Sequence, residues 1–476
     1  MENKQFYITT AIDYINGKPH IGHSYEKVAA DVLARFYRAR GADTHFLTGT
    51  DEHGAKIAQF AEKTGLPIEQ FAAEAANGFK LAWDNLNLSY DRFIRTTDND
   101  HVKVVEDIVT RIKDNGYLYE ADYEGLYCVG HEAFITEKDL VDGLCPEHQK
   151  APELIKEKNW FFKVSSFTDT IKEKIISGEF AIYPEHSKKE ILAMLDAGFK
   201  DIAATRPNVK WGIPVPWDPE QTIYVWVDAL INYVTGAKVD GKDYWPASVH
   251  VIGPDIAKFH CIIWPALLLA ADLPMPKGIA VHGYLTLNGQ KISKSLGNVV
   301  DPNEWVEKYG ADAVRYFIMR EVPFDAHGDV SEEKLKARYE GDLANGLGNL
   351  VSRITTLVEK YLDGNLQGPP VLFPYMDTYE IEIDTLIKEY KFHEALSKIW
   401  ELVAKANKIV DENKLWELAK NDTKRFNDIA KEVIQIISVA AVKLKPFIPI
   451  ASEKILLAMR AKKITKAEPL FPRIES

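Results

Sequence analysis

His20-Ile21-Gly22-His23 stands where a first strand hands over to a first helix, and the reading of these four residues decides the fold. Upstream, Phe6-Tyr7-Ile8-Thr9-Thr10 is short, β-branched and aromatic, the pattern of a buried strand. Asn16-Gly17-Lys18-Pro19 reads as a turn. From Ile21 onward, Ile21, Tyr25, Val28, Ala29, Val32 and Phe36 recur at helical spacing. His20 and His23 therefore share one face of a helix N-terminus. Unbonded N–H groups and the positive end of the helix dipole gather there, so the place suits a phosphate. A polar cap carrying two surface histidines accounts for these four residues equally well.

A second stretch bears on the first. Lys291-Ile292-Ser293-Lys294-Ser295 follows Val281-His282-Gly283-Tyr284-Leu285 and precedes Leu296-Gly297-Asn298. Two lysines on a small-residue loop can reach triphosphate oxygens, although such a loop by itself is more often merely solvated. Taken with His-Ile-Gly-His far upstream, the pair resembles the His-Ile-Gly-His and Lys-Met-Ser-Lys-Ser motifs of class I aminoacyl-tRNA synthetases. Ile292 stands where Met is usual.

Composition sets the frame. A chain of 476 residues predicts about three domains, at roughly 150 residues each. An apolar content of 46% is enough for a large core. The longest apolar run, Cys261 to Ala271, is interrupted by Pro265 and falls short of the ~18 residues of a membrane span. No signal-peptide pattern precedes the first strand, and three cysteines make no disulfide framework; both predict a cytoplasmic protein. The net charge of −12 argues against a generally basic nucleic-acid binder, while leaving room for a local positive cluster.

Residues 1–116 read as alternating strands and helices, the first half of a catalytic domain. Thr44-His45-Phe46-Leu47-Thr48 is a strand, followed by a polar loop over Gly49-Thr50-Asp51-Glu52-His53-Gly54. Ligands of open α/β sheets bind just beyond the carboxyl ends of strands, so Asp51 lies where a substrate ammonium is met. An Asp capping the next helix fits equally. Between 117 and 210, Cys128-Val129-Gly130-His131 and Cys145-Pro146-Glu147-His148 form paired knuckles with tetrahedral zinc-ligand spacing. Such a closed set is structural rather than catalytic. Two unrelated Cys/His pairs are the alternative, weakened because Cys261 is the only other cysteine.

A second α/β segment spans 211–325. Trp211-Gly212-Ile213-Pro214-Val215-Pro216 leads into Tyr224–Tyr233, and Val249–Gly253 reads as a strand. Phe259, His260 and Trp264 fall on one side of a helix start, where core packing is the commoner use of aromatics. The alternation implies one nucleotide-binding sheet split by the zinc-bearing segment. Over 326–476, amphipathic patterns at Leu335–Leu362, Ile381–Val410 and Phe426–Leu444 predict a helical bundle, with one loop from Gly364 to Pro374. Asn345, Asn349 and Arg353 lie on one helical face. The chain ends soon after this bundle, and a monomer is expected.

The discriminating stretches resemble the methionyl-tRNA synthetase family most closely. They are Ala11-Ile12-Asp13-Tyr14, Arg95-Thr96-Thr97, the Trp-Gly-Ile-Pro-Val-Pro run, Tyr224-Val225-Trp226-Val227-Asp228-Ala229, and Asp255-Ile256-x-x-Phe259-His260 with Trp264. Asn349-x-x-x-Arg353 and Trp416 are similar to the family's anticodon reader. The resemblance implies an α/β fold: a Rossmann-like parallel-sheet catalytic domain, split by a zinc-binding insertion and followed by an all-α anticodon-binding bundle. Asp13 and Leu230 depart from the family's usual residues.

By that resemblance the chain ligates L-methionine to tRNA(Met) through a methionyl-adenylate made with ATP. Methionine would lie among Ala11, Ile12, Tyr14, Asp51, Trp226, Ala229, Tyr233, Ile256, His260 and Trp264, with Asp51 on its ammonium. A polarizable thioether suits an aromatic-lined pocket. ATP would be held by His20, Gly22, His23, Gly253, Asp255, Lys291, Ile292, Ser293, Lys294 and Ser295. Of these, His20, His23, Lys291 and Lys294 would carry the catalysis alongside Mg²⁺. Zinc would be held by Cys128, His131, Cys145 and His148, and the anticodon by Asn349, Arg353 and Trp416. Without the resemblance, Trp416 reads more readily as a bundle-core tryptophan.

Two alternatives stay open on the sequence. Another class I synthetase, for Cys, Val, Ile or Leu, shares the paired motifs. An insertion of about 95 residues over 117–210 is nevertheless short for the editing domain of the branched-chain members. A catalytically inactive tRNA-binding scaffold is the other, against which stand the four intact phosphate-binding residues.

Overall fold

In the computed structural model, which describes residues 5–128, 133–135, 140–146, 150–292, 299–369 and 376–474, the expected first strand becomes β1 (Gln5–Thr10). It lies inside a seven-stranded sheet with β2 (Asp13–Tyr14), β3 (Asp43–Asp51) and β4 (Arg92–Arg95). On the other side of β1 follow Val249–Ile252, then Gly278–Val281, then Ala181–Tyr183 at the edge. Every pairing in this sheet is parallel. Tyr7–Thr10 and Val249–Ile252 are unbroken buried runs, the sequence signature of strands covered on both faces.

The chain leaves β1 first towards β3 and β4, and later fills the opposite side with Val249–Ile252 and Gly278–Val281. The strand order therefore reverses between β1 and Val249–Ile252, where the Ala11 amide donates to the Val251 carbonyl at 3.3 Å. Such a reversal point is where open α/β sheets take their ligands.

The expected loop over Gly49–Gly54 is corrected in part: β3 runs on through Asp51, because β2 and β4 flank its last residues on both sides. β4 approaches so closely that a Cβ on Gly49 would sit 1.9 Å from the Ile94 carbonyl oxygen, so only glycine fits there. Within 117–210 the chain builds a four-stranded antiparallel sheet from Ala133–Ile135, Leu118–Cys128, Glu153–Phe162 and Ile202–Ala203. The same stretch also supplies the edge strand Ala181–Tyr183 of the parallel sheet.

By its internal contacts the chain forms two units, one of residues 1–19, 41–81 and 89–282, the other of residues 20–40, 82–88 and 283–476. The parallel sheet belongs to the first. The second holds helix α1 (Ile21–Arg38), a small sheet and the C-terminal helices. Leu285–Leu287 and Gln290–Lys291 form a hairpin turned at Asn288 (φ 51°) and Gly289 (φ 75°), the pair that a two-residue turn with left-handed residues selects.

The amphipathic expectation for the C-terminal region holds in outline, with two corrections. Leu335–Leu362 is not one α-helix: Tyr339–Gly348 is π-helical between Glu332–Arg338 and Asn349–Leu362. Gly341, Gly346 and Gly348 bring no side chains to crowd these wider turns. Ile381–Val410 is likewise two helices, Met376–Lys388 and Phe392–Glu412, reversed at Tyr390 (φ 61°) so that their apolar faces pack together. Leu415–Asn421, Thr423–Leu444 and Pro449–Met459 complete the bundle. Of the expected loop from Gly364 to Pro374, residues 370–374 lie outside the described residues. Among the described residues no helix is long and apolar enough to cross a membrane.

Candidate functional site

Around the reversal point, the helix Val225–Gly236 and the segment after Val249–Ile252 carry most of the residues expected to line an amino-acid pocket. Pro254–Ile256 is a 3₁₀ turn and Phe259–Ile263 a π-helical turn leading into the α-helix Trp264–Ala270. π-turns recur at functional sites, and this one is invisible to a search for 3.6-residue periodicity. Tyr233, His260 and Trp264 are all buried.

Their hydrogen bonds fix the imidazole tautomers. The Tyr233 hydroxyl meets His260 Nε2 at 2.7 Å, and His260 Nδ1 lies 3.0 Å from the Ile256 carbonyl oxygen. A carbonyl only accepts, so His260 is protonated on Nδ1 and its Nε2 accepts from the tyrosine. Behind it, the Trp264 indole N–H donates to His250 Nε2 at 3.3 Å, and His250 Nδ1 donates to Thr9 Oγ1 at 2.7 Å. Burial, and then the neighbouring His260, hold the His250 imidazole well below its usual range. The chain Thr9–His250–Trp264 is thus neutral, which suits the side chain of an uncharged amino acid.

Trp226 stacks on Phe259 at 3.8 Å between centroids and 5° between planes. Ala229 is buried on the same helix, and Ala11, Ile12 and Ile256 pack at the margin of the cluster that contains Tyr233 and Trp264. Asp51 ends β3 opposite Tyr14, with its carbonyl accepting from the Ile15 amide at 3.3 Å. It is not the cap of the next helix, whose N-cap is Gly54. Gly253 is buried; Asp255, two residues on, is exposed.

Several buried groups here escaped the sequence reading. Glu52 is fully buried and accepts two bonds from Arg95, at 2.7 and 2.8 Å, plus one each from Thr50 and Thr97 at 2.7 Å. The Glu52 bond is the main reason that the Arg95 guanidinium holds its proton more tightly than usual. The Trp211 indole donates to the Glu52 carbonyl at 2.6 Å and the Gly54 amide to the Trp211 carbonyl at 3.0 Å. The Trp-Gly-Ile-Pro-Val-Pro run thereby brackets the turn after Asp51. His53, His101 and Asp228 form a further buried cluster.

In the second unit, His20 is the extended N-cap of α1, and its amide donates to His23 Nδ1 at 3.1 Å. The two rings stack at 3.7 Å. A Cβ on Gly22 would lie 3.0 Å from the His20 ring, so glycine leaves this ring room over the first turn. The first turn holds no acidic residue, as an anion site requires. The Ile21 amide donates to the Val300 carbonyl at 3.0 Å, which joins this turn to the stretch just after Lys-Ile-Ser-Lys-Ser. Lys291 begins that stretch from the hairpin strand and Ile292 follows it; Ser293, Lys294, Ser295 and the Lys291 side chain lie outside the described residues.

Asn349 and Arg353 lie on one helix, and the Arg353 guanidinium sits 5.6 Å from the Trp416 ring centre. Trp416 is 40% exposed, which sets aside the bundle-core reading. Asn345, expected on the same α-helical face, falls in the π-helical segment instead. Of the zinc-ligand candidates, Cys128 and Cys145 are both buried, while His131 and His148 lie outside the described residues. Two buried thiols have the donor chemistry that zinc selects.

Comparison with known proteins agrees with this geometry. The family described as tRNA synthetases class I (M) matches residues 6–153 and 139–355. The methionine–tRNA ligase of Clostridium acetobutylicum is 42% identical across 100% of this chain and 79% of its own length. That of Thermotoga maritima is 41% identical across 95% of this chain and 74% of its own. Among solved structures, Mycobacterium tuberculosis methionyl-tRNA synthetase in complex with methionyl-adenylate matches with a TM-score of 0.92 and 36% identity, covering 99% of this chain and 100% of that one. The free form of the same enzyme matches with a TM-score of 0.85 and 34% identity, covering 100% of this chain and 99% of that one. The chain belongs to the methionine–tRNA ligase family of class I tRNA synthetases.

Proposed function

We propose that the chain activates L-methionine with ATP and transfers the methionyl group to tRNA(Met). In the first step the methionine carboxylate, ionised at neutral pH, attacks the α-phosphorus of ATP. The new O–Pα bond forms as the bond from Pα to the β-phosphate oxygen breaks, and pyrophosphate leaves. In the second, the 2′-hydroxyl of the terminal adenosine of tRNA attacks the methionyl carbonyl, AMP departs, and the hydroxyl proton is lost. No strong base is needed for the first step; alignment and neutralisation of growing phosphate charge do the work.

The observation that carries this reading is the buried Tyr233–His260–Trp264 cluster at the sheet's reversal point, with Asp51 ending β3. Within it, Asp51 would take the ammonium, and Ala11, Ile12, Tyr14, Trp226, Ala229, Tyr233, Ile256, His260 and Trp264 would surround the rest of methionine. Gly253 and Asp255 would serve the ribose. His20, Gly22 and His23 would serve the triphosphate, together with Lys291, Lys294 and the residues between and beside them. Mg²⁺ bound with ATP supplies further charge neutralisation. Zinc on Cys128, His131, Cys145 and His148 would be structural, within an insertion spanning 117–210 between catalytic segments 1–116 and 211–325. Asn349, Arg353 and Trp416 would read the unstacked anticodon bases from the 326–476 region. We read the protein as a cytoplasmic monomer.

ATP–pyrophosphate exchange, run with each of the twenty amino acids, tests the substrate. Exchange stimulated by methionine alone is expected; stimulation by isoleucine or cysteine in its place would overturn the reading.

A further inference from the structure

Asp228 sits on the helix Val225–Gly236 between two pocket candidates, Trp226 and Ala229, yet it is 1% exposed and turned away from solvent. Its Oδ2 lies 2.7 Å from His53 Nδ1 and its Oδ1 lies 2.8 Å from His101 Nε2. A carboxylate only accepts, so each imidazole donates. His101 is fully buried at the start of the helix Asn99–Asp114, and its Nδ1 reaches Thr235 Oγ1 at 3.0 Å, two turns along the helix that carries Asp228. His53 lies two residues beyond Asp51 and meets the Trp211 ring edge-on, with centroids 5.4 Å apart. One buried carboxylate thus ties together three segments distant in sequence. Two imidazole donors keep it ionised against the cost of burial.

The position of this tie matters more than its strength. One arm, His53, holds the turn that follows Asp51; the node itself holds the helix that bears Trp226, Ala229 and Tyr233. A ligand with an ammonium and a side chain a fixed distance apart needs those two elements at a fixed separation. The Glu52–Arg95 pair anchors the same turn to β4. We propose that Asp228, acting through His53 and His101, is a positioning residue for the amino-acid substrate: it sets the reach between the Asp51 end of β3 and the side-chain pocket. This rests on the reading of the pocket as a methionine site.

The test is steady-state ATP–pyrophosphate exchange by the full chain, with KM measured separately for methionine and ATP. The wild type comes first; if it does not respond to methionine, the pocket assignment fails, not the positioning role. With a methionine-dependent wild type, Asp228→Asn keeps the shape but replaces one acceptor with a donor facing an imidazole N–H. We expect its methionine KM to rise about tenfold or more, with ATP KM within about twofold. His53→Gln, which cuts only the arm to Asp51, should reproduce that split, and it decides the matter alone if Asp228→Asn does not fold. The double variant should lose less than the product of the two single effects, because both cut one tie. A fall in kcat with both KM values unchanged, equal rises in both, or independent multiplication of the single effects would each assign Asp228 to the scaffold alone and overturn the proposal.

Discussion

The His20 amide donates to His23 Nδ1 at 3.1 Å, so Nδ1 is the acceptor of this imidazole and Nε2 carries its proton. That division separates a structural from a phosphate-binding role. His23→Asn offers an oxygen near the Nδ1 position and preserves the bond to the His20 amide, but has nothing at the Nε2 position. If Nε2 serves the triphosphate, His23→Asn should lower kcat for pyrophosphate exchange by roughly 10²–10³, the usual effect of losing one donor to developing charge. Methionine KM should stay within twofold. Near-normal turnover by His23→Asn beside an impaired His23→Ala would show that the cap bond alone matters.

Arg315 is a heavily bonded buried cation of the second unit. Fully buried, it pairs with Asp31 of α1 at 2.6 Å and donates to the carbonyls of Leu86, Pro446 and Phe447 at 3.3, 2.9 and 2.8 Å. Burial lowers its proton affinity, and Asp31 offsets only part of that. Arg315→Met would strip donors from three carbonyls and take from Asp31 a partner that it shares with Arg35. A loss of about 3–5 kcal/mol is expected, read from the denaturant midpoint. Arg315→Lys keeps the charge but not the planar fork, and should fall between the two. Loss below 1 kcal/mol for Arg315→Met would contradict this account.

His250 gives the stability a pH dependence of known sign. Its folded pKa lies well below the ordinary 6.5, through burial first and His260 second. Below pH 6.5 the unfolded chain therefore binds a proton that the folded chain refuses. Stability is full above that pH and declines as pH falls towards the folded value, by up to about 1.4 kcal/mol per pH unit. His250→Gln can still accept from Trp264 and donate to Thr9 without titrating. Unfolding curves between pH 7.5 and 5.5 should show a shallower decline in this variant than in the wild type; parallel curves would mean that His250 is not the titrating group.

Legibility in the sequence followed the range of the interactions. β1, the start of α1 and Val249–Ile252 were readable because local periodicity and turn residues fix them. The pocket list around Tyr233 and His260 comes from resemblance alone, since spacing favours a core role for such aromatics. From sequence alone Asp51 reads as a loop residue, because the strand residues that flank it in β2 and β4 are brought beside it only by the fold. The His53–Asp228–His101 cluster was missed for the same reason: its bonds span 175 and 127 residues, and no one segment carries the pattern. The π-helical turns at Phe259–Ile263 and Tyr339–Gly348 keep an apolar rhythm close enough to 3.6 to pass as α-helix.

Trp416 offers the cleanest separation of the two half-reactions. It is 40% exposed on the short helix Leu415–Asn421, with the Arg353 guanidinium 5.6 Å from its ring centre and Arg353 itself held by Asp411 at 2.8 Å. An exposed indole backed by a fixed cation is a stacking platform, and stacking on an unpaired base is worth about 1–3 kcal/mol. Trp416→Ala should therefore lower kcat/KM for tRNA charging by roughly 5- to 150-fold and leave pyrophosphate exchange within twofold of the wild type. Arg353→Ala should weaken charging in the same direction, and the double variant should add little if the two residues hold one base. Because the indole is exposed, its removal costs the bundle little packing, so a shared loss of exchange and charging would mean that the bundle, and not an anticodon contact, had been damaged.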